Sequence, residues 1–368
     1  MTQEDKNLLF IPSLGSWVFI KKEEKGKKLA PKNLLLTGGC GFVGSHLVEG
    51  VLKQTDWNII VLDCLTYAGN LNRLTDISVW EKEKNRVKFV WHDLRAPISE
   101  IVSKMIGKVD IIWHLAAESH VERSLQDAIP FAMSNVVGTT HLLEWIKKEN
   151  PETKTIVFST DEVFGAAPKG KYFKEDESFK PSNPYSASKA GAEMMAYAFA
   201  HSFKLPIFIV RSMNIFGERQ DPEKFIPKTI RAILKGEKVV IHGLPGNISS
   251  RCWIHAREVC NAMLFLTEKG ESEQFYHIVG EERNVLELAQ KIAKIIRGKE
   301  LMYDLKEGLG EISFIDFHQT RPGHDLRYAL DGTKLKEMGF QYTMTLDKSI
   351  EKMVQWMIKK ENQKWLNL

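Results

Sequence analysis

Cysteine is scarce in this chain of 368 residues, and its four copies (Cys40, Cys64, Cys252 and Cys260) show no paired metal-ligand spacing. That argues against a zinc scaffold or a disulfide framework, predicts no bound metal, and points to reduced thiols in a cytoplasm. Long apolar runs are missing too: none reaches the roughly 18 residues of a membrane span. Charge of one sign is not in excess. The 51 Lys and Arg stand against 47 Asp and Glu, and the net +4 is spread along the chain, whereas a nucleic-acid partner asks for a concentrated basic face. No internal repeat or low-complexity tract occurs. What remains, 43% hydrophobic and 27% charged, is the composition of a globular protein, long enough for a two-lobed domain or two domains.

Residues 1–32 read as an arm and linker. "LLFIPSLGSWVFI" (residues 8–20) is apolar but broken by Pro12, Ser13, Gly15 and Ser16, and "KKEEKGKK" follows it. A signal peptide places positive charge before its apolar part, and here Glu4 and Asp5 stand there. From residue 33 short apolar runs ("NLLLT", "NIIVLD", "VKFVW", "VDIIWH", "TIVFST", "PIFIVRSMNIF") alternate with stretches of helical spacing. That alternation predicts an α/β fold, a Rossmann-type doubly wound parallel sheet over 33–216, with segments near 255–280 returning to it. After Gly217 the rhythm fades, and 217–368 is expected to be a smaller mixed α/β lobe.

"TGGCGFVGS" (residues 37–45) follows a strand and opens a helix, as a dinucleotide fingerprint must. Gly39, Gly41 and Gly44 satisfy one known spacing; Gly38, Gly41 and Gly44 satisfy another. Missing side chains let the backbone approach a pyrophosphate, and the helix N-terminus offers amides to it. Asp63 ends the second strand 19 positions beyond Gly44. An acid there bonds a ribose 2′-hydroxyl and disfavours a 2′-phosphate, so the expected cofactor is NAD. Asp93, ending the third strand, is a candidate for the adenine edge or for a local cap. Phe42, Val43, Leu94 and Ala116 complete the expected cofactor contacts.

"YSASK" sets Tyr185 and Lys189 four apart on one helix face. An ammonium beside a phenol favours phenolate, a base for a hydroxyl proton. That spacing alone is common on helix surfaces; behind a nucleotide fingerprint it points to oxidation of an alcohol, with Thr160 bonding the same oxygen. "STDEVFG" (residues 159–165) then places Asp161 beside Glu162 at a strand end. In an extended chain neighbouring side chains point apart, and two carboxylates held near one pocket repel and titrate apart. One is then an acid while the other is a base. A turn cap with a solvated glutamate is the plain alternative.

From about residue 33 to 360 the chain resembles the extended short-chain dehydrogenase/reductase family, in particular the dTDP-glucose 4,6-dehydratases. The resemblance rests on "TGGCGFVGSH", "YAGNLNRL", "HLAAESHVERS", "STDEVFG", "NPYSASKAGAE", "RSMNIFGERQDPEKFIP" and "RPGHDLRYALD". It implies a lyase with bound NAD, in which Tyr185 is the base for C4 oxidation, with Lys189 beside it. Glu162 removes the C5 proton and Asp161 protonates the leaving C6 hydroxyl. It also places Glu118, Ser119, Asn214, Glu223, Lys224, Arg251, Arg321 and His324 against a nucleotide sugar. Asn135 stays unassigned between a structural and a substrate-side amide. The chain departs from the family pattern at His242, at Cys252 and in a longer loop between them, which leaves the base open among dTDP, UDP and CDP. The rival reading is an NAD-dependent nucleotide-sugar 4-epimerase, which needs no acid pair; an NAD-binding regulator without catalysis is the third. The resemblance also implies a homodimer through the helices of residues 130–148 and 186–203, with Leu142, Met194 and Met195 near the interface.

Overall fold

Leu34, Leu35 and Leu36 show why the chain folds as it does. Leu34 and Leu36 enter one apolar cluster and Leu35 the opposite one, the period-2 alternation of a strand covered on both faces. The same division holds for Ile59 and Val61 against Ile60 and Leu62, and for Phe208 and Val210 against Ile207 and Ile209. Each such fully buried side chain contributes about 1.5–3 kcal/mol of transfer free energy.

The computed structural model describes residues 8–11, 16–19, 31–304, 310–316 and 325–368. It forms two compact units, Met1–Pro31 and Lys32–Leu368. In the first, Leu8–Ile11 and Ser16–Phe19 pair antiparallel, with Phe10 opposite Trp17. In the second, among the described residues, seven strands make one sheet: β1 (Asn33–Thr37), β2 (Asn58–Asp63), β3 (Val87–Trp91), β4 (Ile111–His114), β5 (Lys154–Thr160), β6 (Ile207–Ser212) and β7 (Phe275–Ile278). Every pairing is parallel and the order is β7-β6-β5-β4-β1-β2-β3. The fold class expected from the alternation is the one observed. Segments after residue 255 do join this sheet: β7 pairs with β6. The Ala256–Lys269 helix also approaches the Phe42–Gln54 helix so closely that a Cβ on Gly50 would lie 2.3 Å from Cys260 Sγ.

The run "PIFIVRSMNIF" reads as one strand but is two. It breaks at buried Met213, and Asn214–Phe216 leaves the large sheet to pair parallel with Ser250–His255. Glu281–Asn284 pairs antiparallel with the other edge of Ser250–His255. A further small sheet joins Asn247–Ile248, Val239–Leu244 and Ile312–Ile315. Around them the Phe225–Lys235, Val285–Arg297 and Leu346–Met357 helices bury Ile226, Ile230, Leu288, Ile292, Ile350 and Met353 in a core of their own. Leu142, expected near a subunit interface, is instead 1% exposed in the main core. Met194 is 43% exposed, and Met195 is partly buried against that core.

Candidate active site

Between β1 and β4 the strand order reverses, and at the carboxyl ends of those strands a parallel sheet opens a crevice for ligands. Thr37 ties its two sides together. Its hydroxyl accepts from the Leu115 and Ala116 amides, each at 3.1 Å, and bonds the His114 ring at 2.7 Å. Gly38 follows at φ +72°. A Cβ there would lie 2.8 Å from the Ala116 nitrogen, and one on Gly44 would lie 2.2 Å from the Gly38 carbonyl oxygen. Gly38, Gly41 and Gly44 line the cavity with Phe42 and Val43, whereas Gly39 packs against Val61. Of the two possible glycine spacings, the one that includes Gly38 lines the cavity. The Phe42–Gln54 helix starts at Gly41 with no side-chain cap, so its first amides are available to an anion.

Asp63, at the end of β2, accepts from the Cys40 amide at 2.9 Å and from the Leu65 amide at 2.8 Å. A carboxylate has about four acceptor sites, so capacity for a ribose diol remains. A loop without side chains, an uncapped helix N-terminus and this acid fit the pyrophosphate and ribose of a dinucleotide. Leu94 and Ala116 line the same cavity, as does Asp93. Asp93 is also engaged locally, accepting from the Arg95 amide at 2.9 Å and pairing its guanidinium at 2.6 Å.

This first cavity, of about 310 Å³, also receives Glu118, Thr160, Tyr185 and Lys189. A second, of about 350 Å³, is lined by Glu162, Asn214 and Arg251, and the two cavities share Ser119, His120, Glu223 and Lys224. Glu162 thus reaches the second cavity, Thr160 lines the first, and Asp161 between them in sequence is buried and lines neither. Thr160 ends β5 and caps the turn Asp161–Phe164; its hydroxyl donates to Asp161 Oδ1 at 3.0 Å and accepts from the Glu162 amide at 3.3 Å. Gly165 then turns the chain at φ +73°, where a Cβ would lie 2.2 Å from the Lys180 carbonyl oxygen. Asp161 Oδ2 and Glu162 Oε2 are buried without a hydrogen-bond partner.

Burial, and then the Glu162 charge, push the Asp161 carboxyl up to about 7. Burial raises Glu162 as well, but Arg251, a hydrogen bond from Asn183 and Lys224 oppose the rise. Both carboxyls are thus raised from their ordinary values, and the Glu162 charge adds to the rise of Asp161. Lys189 is pulled down to about 8 by burial, and its Nζ donates to the Phe158 carbonyl at 2.7 Å. Here the structure departs from expectation. The Tyr185 phenol is raised, by burial first and then by the Glu162 and Asp161 charges, with the Thr160 hydrogen bond opposing. Lys189 is spent on a backbone carbonyl rather than on the phenol.

On the substrate side Arg251 is fixed by the carbonyls of Ser250, Leu326 and Asp325 at 2.8, 2.7 and 2.6 Å and lies over the Tyr328 ring. Glu223 pairs with His120 at 3.3 Å and Arg123 at 3.4 Å. Arg321 and His324 lie outside the described residues. Asn135 bonds the Glu118 amide and carbonyl at 2.8 and 3.0 Å and the Ser188 hydroxyl at 2.8 Å, a structural tie between the Glu118 loop and the helix of Tyr185.

A family described as GDP-mannose 4,6 dehydratase matches residues 35–353. The chain is 36% identical over 325 residues to the low-salt glycan biosynthesis protein Agl12 of Haloferax volcanii, covering 88% of this chain and 98% of that one. It is 35% identical over 339 residues to the dTDP-glucose 4,6-dehydratase of Neisseria gonorrhoeae, covering 88% and 95%. The crystal structure of DesIV, a dTDP-glucose 4,6-dehydratase from Streptomyces venezuelae solved with NAD bound, superposes with a TM-score of 0.79 at 33% identity, over 90% of this chain and 98% of that chain. The chain belongs to the nucleotide-sugar 4,6-dehydratase family, within the extended short-chain dehydrogenases/reductases.

Several residues of this dehydratase-family cavity escaped sequence reasoning. Ser159 lines the first cavity with a buried hydroxyl that has no partner. Tyr328 lines the second, 3% exposed. Asn183, before Pro184, lines neither cavity and caps the Pro184–Phe203 helix. Among the described residues no group of three or more His, Cys, Asp or Glu could hold a metal ion, and no helix is long and apolar enough to cross a membrane.

Proposed function

We propose that the protein is an NAD-dependent dTDP-glucose 4,6-dehydratase, converting dTDP-glucose to dTDP-4-keto-6-deoxyglucose. The observation that carries this reading is the adjacent Asp161 and Glu162 beyond the Thr160 strand end, Asp161 buried and pushed up to about 7 and Glu162 lining the second cavity. An epimerase that only turns a keto sugar over has no use for that pair. The first cavity takes NAD through Gly38–Gly44, Asp63, Leu94 and Ala116. The second takes the nucleotide diphosphate through Asn214, Lys224 and Arg251, with Glu118 and Ser119 at the sugar. NAD held in the first cavity would supply a hydride acceptor for the oxidation and a hydride donor for the later reduction, and its ring charge would favour a phenolate at Tyr185.

Tyr185 takes the C4 hydroxyl proton while Thr160 bonds the same oxygen. The resulting ketone acidifies C5–H, and Glu162 removes that proton. Asp161 gives its own proton to the C6 hydroxyl, which leaves as water. Adjacent carboxyls suit adjacent carbons, and a general acid with pKa near working pH is close to the optimum for proton donation. The four thiols are free, which supports a cytoplasmic location. Met133, Met194 and Tyr197, exposed on the two predicted dimer segments, support a homodimer. Incubation with dTDP-, UDP- and CDP-glucose followed by mass spectrometry tests the reading. Loss of one water from dTDP-glucose is expected; unchanged mass with altered stereochemistry would mean an epimerase.

A further inference from the structure

Arg327 ties three segments of the chain together. Its Nε and Nη2 donate to the two carboxylate oxygens of Glu282 at 2.6 and 2.9 Å, and its Nη1 donates to the carbonyls of Pro168 and Lys171 at 2.9 and 2.7 Å. Tyr172 closes the group, its ring centroid 4.8 Å from the guanidinium and its hydroxyl donating to Glu282 at 3.1 Å. Glu282 also accepts from the Ser250 hydroxyl at 3.0 Å, and its strand pairs with the strand of Arg251. The backbone follows the same line: the Ala167 amide donates to the Arg327 carbonyl at 2.9 Å and the Ser250 amide to the Leu326 carbonyl at 3.0 Å. The segment held in this way supplies two of the carbonyls on which Arg251 rests, those of Asp325 and Leu326. With the Ser250 carbonyl they take three of the five guanidinium N–H donors, and two remain. Among the described residues the hydrogen-bond acceptors of Arg251 are all neutral carbonyls. A cation lining the second cavity is thus oriented by dipoles and keeps its charge for an anion.

We propose that Arg327 is a positioning residue for the nucleotide diphosphate: its clasp fixes the Asp325 and Leu326 carbonyls and, through them, the direction in which Arg251 offers its two remaining donors. This rests on the assignment of Arg251 to the diphosphate. A planar fork that meets both oxygens of one carboxylate and two carbonyls of another loop has a single orientation, which a pair between two flexible surface side chains lacks. The Arg327 side chain is 14% exposed, so water competes little for those bonds. Arg327 itself lines neither cavity; whatever it does for a ligand passes through Arg251.

A double-mutant cycle, read by calorimetry with dTDP on the NAD-loaded enzyme, separates this role from general support of the fold. Arg327→Met should weaken dTDP binding roughly tenfold, and Arg251→Met at least as much. Because one acts through the other, the double variant should bind dTDP no more weakly than Arg251→Met alone; independent effects would multiply. Arg327→Lys keeps the charge but cannot span Glu282 and both carbonyls. It should lose several-fold, and it completes the same cycle if the methionine variant does not fold. In both Arg327 variants NAD retention should stay at the wild-type level, and KM for dTDP-glucose should rise while the rate of cofactor reduction at saturating substrate does not change. Multiplied losses in the double variant, or NAD lost together with dTDP, would make Arg327 a support of the fold and overturn the proposal. Wild-type dTDP binding by both Arg327 variants, with Arg251→Met impaired, would show that the clasp does not position Arg251. If Arg251→Met itself binds dTDP as the wild type does, the diphosphate is held elsewhere and both assignments fall.

Discussion

The two cavities that meet at Lys224 are built differently. The glycine-lined end of the first is made by backbone, a glycine turn, a bare helix N-terminus and strand ends, with Asp63, Thr160, Tyr185 and Lys189 adding side chains from the same α/β stretch. The second is made by side chains brought in from separate segments, around residues 119–122, 162, 214, 223–242, 249–253, 285 and 328, with Arg251 held by the carbonyls of Ser250, Asp325 and Leu326. Damage to the first should therefore be steric and abrupt, and damage to the second electrostatic and graded.

Gly44→Ala should have the largest effect. Its Cβ would lie 2.2 Å from a backbone oxygen that cannot swing away, so cofactor content after purification should fall to near zero, with a loss of stability of about 1–3 kcal/mol from overpacking. Asp161→Asn comes next. An amide cannot supply the proton, and turnover should drop roughly 10²–10⁴-fold, with cofactor binding unchanged.

The same variant carries a pH signature. Wild-type turnover should decline as pH rises through about 7, where Asp161 loses its proton, and Asp161→Asn should lack that limb. Because burial raises the folded-state pKa, the protonated carboxyl stabilises the fold at acid pH, and that contribution is lost as pH rises through about 7. Thermal unfolding should then show Asp161→Asn gaining on the wild type as pH rises. Arg251→Met should weaken nucleotide-sugar binding roughly tenfold or more in calorimetry while leaving NAD affinity alone; equal loss of both ligands would break the division into two cavities. Smallest is Arg123→Ala, which removes a half-exposed pair with Glu223 and a contact 3.8 Å from the Tyr67 ring. Exposed pairs are worth roughly 0.2–1 kcal/mol, so NAD retention measured by dilution should change by a few-fold at most.

The same contrast explains what the sequence disclosed. Leu34–Leu36, Gly38, Gly41, Gly44 and Asp63 are legible because each is dictated by local backbone geometry: strand period, turn and helix start. Asp161 and Glu162 are legible because two acids at a strand end are costly without a use. The sequence was silent on the break at Met213, since only the pairing of Asn214–Phe216 with Ser250–His255 decides where that strand goes. It led to the expectation that Asp161 and Glu162 titrate apart, but not to the groups that act on Glu162, since Arg251 and Lys224 arrive from elsewhere. It was misleading about Lys189, because four-residue spacing brings Lys189 and Tyr185 to one face but does not choose between the phenol and the Phe158 carbonyl for the ammonium.

The central claim, that the Glu162 carboxylate serves a step after oxidation, is tested most directly by single-turnover absorbance of Glu162→Gln beside Tyr185→Phe with dTDP-glucose. The account predicts that Glu162→Gln forms reduced nicotinamide and a 4-keto hexose and then stalls without releasing water, whereas Tyr185→Phe forms neither. Dehydration by Glu162→Gln at the wild-type rate would contradict it.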